Sequence, residues 1–278
     1  MTGYVFIIGD PVEHSLSPDM HNAAFAHLGL DLRYLRFRVP RERLENAVRG
    51  LRGLGIVGAN VTTPLKRDII KHLDRLAPSS AETGAVNTVV AEEGELVGHN
   101  TDGEGAISAL EEATTLDGRY VVVLGAGGTA AAVCYALASR DVSLLILNRT
   151  PSHAEELAAS LNPARGVETG SLLDRDAVRR VHASDVVVNA TTVGMGEDRS
   201  PLPSDAFHPG MTVLDCVYHP LHTRLLREAE GAGAVTIPGT RMLIHQGAAS
   251  FRLWTGKPAP LDVIEGGLVR ALGRRGQL

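Results

Sequence analysis

The 278-residue sequence lacks several features that mark specialised protein classes. It has only two cysteines, Cys134 and Cys216, both in apolar surroundings, so we expect buried, reduced thiols rather than disulfides. No close cysteine–histidine cluster indicates a metal site. No stretch approaches the roughly 20 apolar residues of a membrane span, and no basic segment precedes the short apolar run near the N-terminus, as it would in a signal peptide. These absences predict a soluble, cytoplasmic protein without a metal.

Positive charge is also scarce. The formal net charge is -5 and no long basic block occurs, which argues against nucleic acid as a partner. Internal repeats and low-complexity segments are missing as well. By contrast, 44% of the residues are hydrophobic, and this length suits two domains of ordinary size.

Strand-like and helix-like segments alternate along the chain, which predicts an α/β protein with parallel sheet. Residues 120–124 form a fully apolar run that is typical of a central parallel strand. We predict a first domain over about residues 1–102 and a second from about 103 to 237. Two further helices, at about 242–254 and 261–272, fit either domain.

The run Gly125-Ala-Gly-Gly-Thr-Ala130 follows that apolar strand and opens a predicted helix. This is the context of a dinucleotide-binding fingerprint, in which the helix N-terminus faces the phosphates. Gly125 would make the tight turn, Gly127 would let the backbone approach the pyrophosphate, and Ala130 is an accepted variant of the third glycine. The alternative is a plain glycine-rich turn between strand and helix.

The end of the next strand, Leu147-Asn148-Arg149-Thr150, indicates which dinucleotide is bound. An NAD site usually carries a carboxylate here, bonded to the ribose 2′-hydroxyl, and this segment has none. Arg149 can pair with a 2′-phosphate, and Asn148 and Thr150 offer neutral hydrogen bonds. The segment therefore favours NADP, the alternative being that Arg149 and Thr150 only end the strand and start a helix.

Lys66 is the most unusual residue of the first half. Thr63 and Pro64 have the features of a helix start, and the spacing of the apolar residues predicts an amphipathic helix that reaches Leu76. Lys66 would lie on the apolar face of this helix and in its first turn, where the helix dipole disfavours a cation. These two features make Lys66 a candidate functional group, and the alternative is a lysine whose stem is buried and whose ammonium reaches solvent.

Small polar residues elsewhere in the first half suggest a binding pocket. Ser15 and Ser17 precede a predicted helix and suit a carboxylate, although Ser17 alone has the features of an N-cap. Asn60 and Thr62 share one face at the end of a strand. Asn87 and Asp102 have the features of a turn residue and a helix N-cap. Together with a hydride carrier, this set suits a small polyhydroxylated acid and the interconversion of a ketone and an alcohol.

Several motifs in this order resemble the shikimate dehydrogenase family, and the match runs nearly from end to end. The motifs are Ser15-Leu-Ser-Pro-Asp-Met-His-Asn22, Asn60-Val-Thr-Thr-Pro-Leu-Lys66, Gly84-Ala-Val-Asn-Thr88, Asn100-Thr-Asp-Gly103, the glycine loop, Asn148-Arg-Thr150, Asn189-Ala-Thr-Thr-Val-Gly-Met195, Asp215-Cys-Val-Tyr218 and Gly239 with Met242-Leu-Ile-His-Gln246.

The resemblance implies a role for each matched position. Lys66 and Asp102 would form the catalytic pair. The substrate would contact Ser15, Ser17, Asn60, Thr62, Asn87, Asp102, Tyr218 and Gln246. NADP would contact Gly125, Ala126, Gly127, Gly128, Thr129, Asn148, Arg149, Thr150, Pro151, Ser152 and His153, with Cys216, Gly239 and Met242 near the nicotinamide.

The resemblance also implies a fold and a reaction. The fold is an N-terminal α/β substrate domain and a Rossmann-type, doubly wound NADP domain with a cleft between them. The C-terminal helices return to the first domain, which then comprises residues 1–102 and 238–278 beside an NADP domain of 103–237. The implied reaction is the reversible NADPH-dependent reduction of 3-dehydroshikimate to shikimate in aromatic amino-acid biosynthesis. We expect a monomer or homodimer.

Three residues depart from the family pattern: Ala131 stands where many members carry arginine, Arg241 precedes Met242 in place of glycine, and Ala106 replaces a bulkier residue. Two alternatives stay open. An NAD-dependent quinate/shikimate dehydrogenase often has threonine at position 17 and an acidic residue after the second strand, unlike Ser17 and Arg149 here. A non-catalytic NADP-binding sensor should have lost Lys66 or Asp102.

Overall fold

The computed structural model describes residues 2–277, which form two compact units. The first unit comprises the chain up to Thr101 and the segment from Gln246 onward, and the second comprises Asp102–His245. Within the described residues, no helix is long and apolar enough to cross a membrane. No group of three or more metal-ligating side chains occurs there either.

The first unit contains a six-stranded mixed sheet in the order β2-β1-β3-β5-β6-β4. β1 pairs in parallel with β2 and β3, whereas β5 pairs antiparallel with β3 and with β6. The tight turn at Glu93-Gly94 joins β5 to β6. The strands are β1 Gly3–Gly9, β2 Leu32–Arg38, β3 Gly58–Val61, β4 Arg75–Leu76, β5 Thr88–Glu92 and β6 Glu95–His99.

Helices cover both faces of this sheet. The helices of the first unit are α1 Ser17–His27, α2 Leu44–Gly53, α3 Pro78–Thr83 and α10 Leu261–Arg274, joined by the last part of α9 Gly239–Thr255. Helix α10 packs on α1, and Arg274 forms an ion pair with Asp19. Trp254 of α9 donates a hydrogen bond to the Val89 carbonyl at 3.0 Å. Residue 58 has to be glycine, because a Cβ there would lie 2.3 Å from the indole nitrogen of Trp254.

The second unit is a six-stranded parallel sheet in the order β12-β11-β10-β7-β8-β9. Numbered along the chain within this unit, the order is that of the doubly wound dinucleotide-binding fold, 3-2-1-4-5-6. Its strands are β7 Tyr120–Leu124, β8 Ser143–Asn148, β9 Val167–Ser171, β10 Val186–Asn189, β11 Thr212–Asp215 and β12 Val235–Ile237. Its helices are α4 Asp102–Glu111, α5 Gly128–Ala138, α6 Pro151–Ser160, α7 Ala177–His182, α8 Arg224–Gly231 and the first part of α9.

Both faces of this second sheet are buried, which explains the unbroken apolar run of β7. Val121 and Val123 belong to one apolar cluster, which also holds residues of α4 and α5. Val122 and Leu124 belong to another, which holds residues of α7 and α8. The α/β class and the doubly wound arrangement predicted from the sequence are thus confirmed for this unit, whereas the sheet of the first unit is mixed rather than purely parallel.

The predicted amphipathic helix around Lys66 is wrong. Residues 62–67 form a loop with turns at 63–64 and 66–67, Asp68–His72 forms a short 3-10 helix, and β4 follows at Arg75–Leu76. Tertiary hydrogen bonds replace those of a helix, because the Lys66 carbonyl accepts from Val86 N at 2.8 Å and Asp74 N donates to Leu96 O at 3.0 Å. The spacing of the apolar residues reflects their burial in the core and not a helix, since Leu65 and Ile69 are fully buried.

Candidate active site

Ser15 and Ser17 lie at the beginning of α1, and both are buried. Ser17 is the first residue of the helix, and the capping position is occupied by Leu16 without a side-chain hydrogen bond. The alternative role of Ser17 as a simple N-cap is therefore not seen. Ser17 N donates to Ser15 Oγ at 3.3 Å, and the Ser17 side chain hydrogen bonds with the Tyr34 hydroxyl. Two hydroxyls and the first N–H groups of a helix thus lie together, as a carboxylate site requires.

Lys66 lies in the turn after β3 and is half-buried. Leu65 N donates to Thr62 O at 2.9 Å, which closes the turn, and Thr62 N donates to Ile8 O at 2.9 Å. Because the Lys66 carbonyl accepts from Val86 N, its backbone lies beside the residue that precedes Asn87. The first unit therefore places Thr62, Lys66 and Asn87 close together along neighbouring segments.

A network of buried polar side chains lies between the sheet and α9 in the first unit. Asn60 Nδ2 donates to the Asn87 carbonyl at 3.1 Å and to Ser250 Oγ at 3.2 Å. Asn87 Oδ1 accepts from the backbone N–H of Thr101 at 2.9 Å, and Asn87 Nδ2 lies 3.4 Å from Gln246 Oε1. Three of the predicted substrate contacts, Asn60, Asn87 and Gln246, therefore belong to a single network.

Sequence reasoning missed four members of this network: Tyr34, Thr88, Thr101 and Ser250. The Tyr34 hydroxyl donates to Asn60 Oδ1 at 2.6 Å, and burial raises the pKa of this phenol well above its ordinary value. Thr88 Oγ1 lies 2.8 Å from Ser250 Oγ. Only Ser250 could have been identified from the sequence, because it follows Gln246 by four residues and so lies on the same face of the helix.

His21 of α1 is a buried histidine that sequence reasoning also did not single out. Its ring stacks on Tyr34 with centroids 4.7 Å apart, and Phe251 lies parallel to it at 6.4 Å. Neither ring nitrogen has a hydrogen-bond partner within the described residues. Burial alone lowers the pKa of His21 to about 3, so the ring is neutral near pH 7.

Asp102 is buried at the first position of α4 and follows Thr101 directly. Since Thr101 N is bonded to Asn87, the chain leaves the polar network of the first unit at Asp102. Asn100 is held separately, because its Nδ2 donates to the Ala85 carbonyl at 3.0 Å. Within the motif Asn100-Thr-Asp-Gly103, Asp102 is thus the carboxylate and Asn100 supports the backbone.

The glycine loop connects β7 to α5 in the second unit. Gly125 has a φ of +108°, and a Cβ there would lie 3.2 Å from the Ala190 carbonyl, so a tight turn without a side chain is required. Gly127 is the N-cap of α5 and makes no side-chain cap bond, and a Cβ added to it would meet no atom within 4 Å. The first N–H groups of α5 have no helical carbonyl to bond, which suits a phosphate.

Asn148 is the last residue of β8, which lies next to β7 in the sheet, and Arg149 and Thr150 follow it. Asn148 Nδ2 donates to the Thr150 carbonyl at 2.9 Å, and Arg149 is exposed. Helix α6 begins at Pro151, so Ser152 and His153 lie exposed in its first turn. The residues predicted to distinguish NADP from NAD therefore follow the strand beside the glycine loop.

A buried carboxylate organises the ends of β10 and β11. Asp215 Oδ1 accepts from Asn189 Nδ2 at 2.9 Å and from Val217 N at 3.0 Å, and Asp215 Oδ2 accepts from Thr223 Oγ1 at 2.6 Å. Burial raises the pKa of Asp215, and these hydrogen bonds partly oppose the effect. This anchor fixes the segment that carries Cys216 and Tyr218.

The remaining predicted residues near the nicotinamide lie around the start of α9. A Cβ at Gly239 would lie 2.7 Å from the carbonyls of Asp215 and Val217, and Met242 is buried in the apolar cluster with α5. Cys216 is only half-buried, so the expectation that both thiols are buried is wrong for this residue. Cys216 lies outside the buried strand, because it directly follows the last residue of β11. Cys134 is buried, and burial raises the pKa of its thiol.

The three departures from the family pattern have structural counterparts. Ala131 and Ala106 are both buried in the apolar cluster of the second unit, where they face other apolar side chains. Arg241 forms an ion pair with Glu112, which also accepts from His245 Nε2 at 2.8 Å. Arg241 therefore links α9 to the residue just beyond α4.

Comparisons with known proteins agree with these features along the chain. Residues 7–89 match the shikimate dehydrogenase substrate binding domain, residues 108–194 match shikimate / quinate 5-dehydrogenase, and residues 239–266 match the shikimate 5'-dehydrogenase C-terminal domain. A curated relative, the shikimate dehydrogenase (NADP(+)) of Methanopyrus kandleri, is 49% identical over 271 residues, which cover 95% of this chain and 93% of the relative.

Solved structures give the same result. A shikimate dehydrogenase crystallised in complex with NADP+ superposes with a TM-score of 0.90 at 40% identity, covering 97% of this chain and 96% of that one. The shikimate 5-dehydrogenase of Thermus thermophilus, in complex with NADP(H) and shikimate, has a TM-score of 0.89 at 39% identity and covers 97% and 100% of the two chains.

Proposed function

The chain belongs to the shikimate dehydrogenase family, and we propose that it catalyses the reversible NADPH-dependent reduction of 3-dehydroshikimate to shikimate. It is an oxidoreductase with NADP as its cofactor, and its place is in aromatic amino-acid biosynthesis. A cytoplasmic location and a monomeric or homodimeric state remain predictions.

The observation that carries the substrate assignment is the polar set of the first unit. A carboxylate finds hydroxyls and helix N–H groups at Ser15 and Ser17, and ring hydroxyls find the amides of Asn87 and Gln246. These groups match a small ring that bears one carboxylate and several hydroxyls. A larger or apolar substrate would not complement these hydroxyl, amide and N–H groups.

The second unit fits NADP on its own geometry. The glycine loop follows the first strand of a sheet with the 3-2-1-4-5-6 order, next to the point where the strand order reverses, and that is where dinucleotides bind in such folds. The open face of Gly127 and the N-terminus of α5 would hold the pyrophosphate. Arg149 would pair with the 2′-phosphate, and Asn148, Thr150, Pro151, Ser152 and His153 would complete this end of the site.

The proposed domain roles follow the same division. The segment up to about residue 102, with residues 238–278, would bind substrate, and residues 103–237 would bind NADP. Near the nicotinamide we propose Cys216, Gly239 and Met242, and for the ring and its hydroxyls we propose Asn60, Thr62, Asn87, Asp102, Tyr218 and Gln246.

NADPH, when bound, supplies the hydride that reaches the carbonyl carbon. Lys66 would donate a proton to the carbonyl oxygen as the alcohol forms, and it would regain that proton from solvent. In the reverse direction Lys66 would accept the proton of the hydroxyl. Asp102 would position the ammonium and the reacting hydroxyl for proton transfer. The positioning of these groups, rather than covalent catalysis, would supply the rate enhancement.

A nicotinamide absorbance assay tests the proposal. The purified protein is incubated with shikimate or quinate, each with NADP+ or NAD+. We expect the highest kcat/KM with shikimate and NADP+. Turnover only with quinate and NAD+ would overturn the assignment in favour of the quinate branch, and NADP+ binding without any turnover would favour a sensor.

A further inference from the structure

We propose that Tyr34, Ser250 and Thr88 are positioning residues. Together with Asn60 they form a buried polar chain that holds the Asn87 amide in a single orientation and thereby sets affinity for the ring hydroxyls of the substrate. The inference rests on the proposed function, because it concerns the selectivity of the same site. The term "buried polar chain" refers below to Tyr34, Asn60, Ser250 and Thr88.

Backbone groups at both ends fix the two amide orientations. The backbone N–H of Thr101 can only donate, so the atom of Asn87 that meets it at 2.9 Å is Oδ1. Asn87 Nδ2 therefore donates to Thr101 Oγ1 at 2.9 Å and faces Gln246 Oε1 at 3.4 Å. The Asn87 carbonyl can only accept, so the atom of Asn60 at 3.1 Å is Nδ2. Asn60 Oδ1 then faces the Tyr34 hydroxyl at 2.6 Å, and that hydroxyl must donate.

The direction of the Thr88 hydroxyl follows from these two amides. Thr88 Oγ1 lies 2.8 Å from Asn87 Oδ1, which carries no hydrogen, so Thr88 donates. Its oxygen in turn accepts from Asn60 Nδ2 at 3.1 Å. Ser250 Oγ lies 2.8 Å from Thr88 Oγ1, accepts from Asn60 Nδ2 at 3.2 Å and donates to the Gln246 carbonyl at 3.0 Å. The donors of Asn60 and Thr88 therefore point toward Asn87.

Burial makes this arrangement difficult to reverse. Tyr34 is 1% exposed, and Thr88 and Ser250 are 0% exposed, so water does not replace a broken bond. Reversing one hydroxyl would set two donors or two acceptors against each other in the interior. The buried polar chain occupies both hydrogens of Asn60 and one lone pair of its Oδ1, so Asn60 retains only the other lone pair for direct substrate contact.

The consequence for the substrate is a fixed donor beside Gln246. The Asn87 side chain presents its N–H groups, and not its oxygen, toward Thr101 Oγ1 and Gln246 Oε1. A ring hydroxyl that reaches Asn87 on this side therefore meets an N–H donor. If the Asn87 amide turned over, its oxygen would face the oxygen of Gln246 and this donor would be lost.

Two substitutions of Thr88 test the inference. Thr88→Val keeps the shape and removes the hydroxyl, and Thr88→Ser keeps the hydroxyl. For Thr88→Val we expect the KM for shikimate to rise about tenfold, while the KM for NADP+ stays within about twofold. The serine variant should return the shikimate KM to within about threefold of wild type. If valine and serine raise the KM equally, packing rather than hydrogen bonding explains the effect and the inference is wrong.

A double-mutant cycle separates positioning from general loosening of the fold. In an Asn87→Ala background the valine substitution should add nearly nothing to the shikimate KM, because the group it positions is gone. Additive effects would overturn the inference. Ser250→Ala provides the same test should Thr88→Val not fold. Wild-type turnover of shikimate is measured first, and its absence would refute the proposed function itself rather than the role of the buried polar chain.

Discussion

The two units build their binding groups from different parts of the chain. In the first, side chains from β2, β3, β5 and α9 meet in hydrogen bonds that fix the orientation of each amide. In the second, the central feature is backbone, since the loop from Gly125 to Gly127 presents no side chain beyond Ala126. The difference suits the ligands, because a small polyhydroxylated acid is recognised atom by atom, whereas a pyrophosphate needs N–H groups and close approach.

Loss of Lys66 should have the largest effect and is the strongest test of the first unit, whose binding groups are side chains. Lys66→Ala removes the proposed proton donor, and we expect kcat to fall roughly 10²–10⁴-fold with NADP+ binding unchanged. Steady-state kinetics and cofactor titration measure both. The matched control is Lys71→Ala, which removes an exposed lysine from the same segment. Near-normal turnover in Lys66→Ala would contradict its catalytic role.

Acid should lower the free energy of unfolding of the first unit, because the unfolded chain can protonate His21. The ring has a pKa of about 3 when buried, below its ordinary 6.5, so the unfolded chain takes up a proton first as the pH falls. This contribution to the free energy of unfolding is fully present above pH 6.5 and is lost as the pH falls toward 3, by at most about 5 kcal/mol.

The measurement is urea unfolding at pH 7 and pH 4. His21→Phe should lose less stability between these pH values than wild type does, and His27→Gln, at the exposed end of the same helix, should behave like wild type. An unchanged pH dependence in His21→Phe would show that other groups cause the acid sensitivity.

Arg149 tests the one side chain on which cofactor choice is proposed to depend. Arg149→Ala should raise the KM for NADP+ about tenfold to a hundredfold and leave the KM for NAD+ nearly unchanged, because only NADP carries the 2′-phosphate. Arg179→Ala removes another exposed arginine of the second unit and serves as the control. Equal losses for both cofactors would argue against a 2′-phosphate contact.

A substitution of Gly127 tests the backbone binding groups of the second unit and should have the smallest effect. A Cβ at this position meets no protein atom within 4 Å, so Gly127→Ala should fold with nearly unchanged thermal stability. It should still raise the KM for NADP+ several-fold to about tenfold, because the methyl group keeps the pyrophosphate from the backbone. Gly50→Ala, also in open space, is the control. An unchanged KM would place the pyrophosphate elsewhere.

The comparison of the units also explains what the sequence predicts well. The bounds predicted for β7 are those observed, and the glycine loop follows it as expected, because both depend on local patterns. Motifs whose function lies in consecutive backbone groups can be identified directly from consecutive residues.

The side-chain network could not be predicted in this way. Asn60 and Ser250 are 190 residues apart in the chain, and Thr88 and Ser250 are 162 apart. No pattern of neighbouring residues can therefore predict their contacts. The segment around Lys66 failed for a related reason, since its backbone bonds to Val86 and Leu96 override the helical spacing of its apolar residues. The apolar pattern singled out Lys66 because of its place on a predicted helix, and the structure has no helix at that residue.

The most direct test of the central claim is the forward reaction. Purified protein is mixed with 3-dehydroshikimate and NADPH, and the loss of NADPH is compared with the shikimate formed, measured by chromatography. We predict that one shikimate appears for each NADPH oxidised and that NADH supports far slower conversion. Protein that binds NADPH but forms no shikimate, or that uses NADH equally well, would contradict the account.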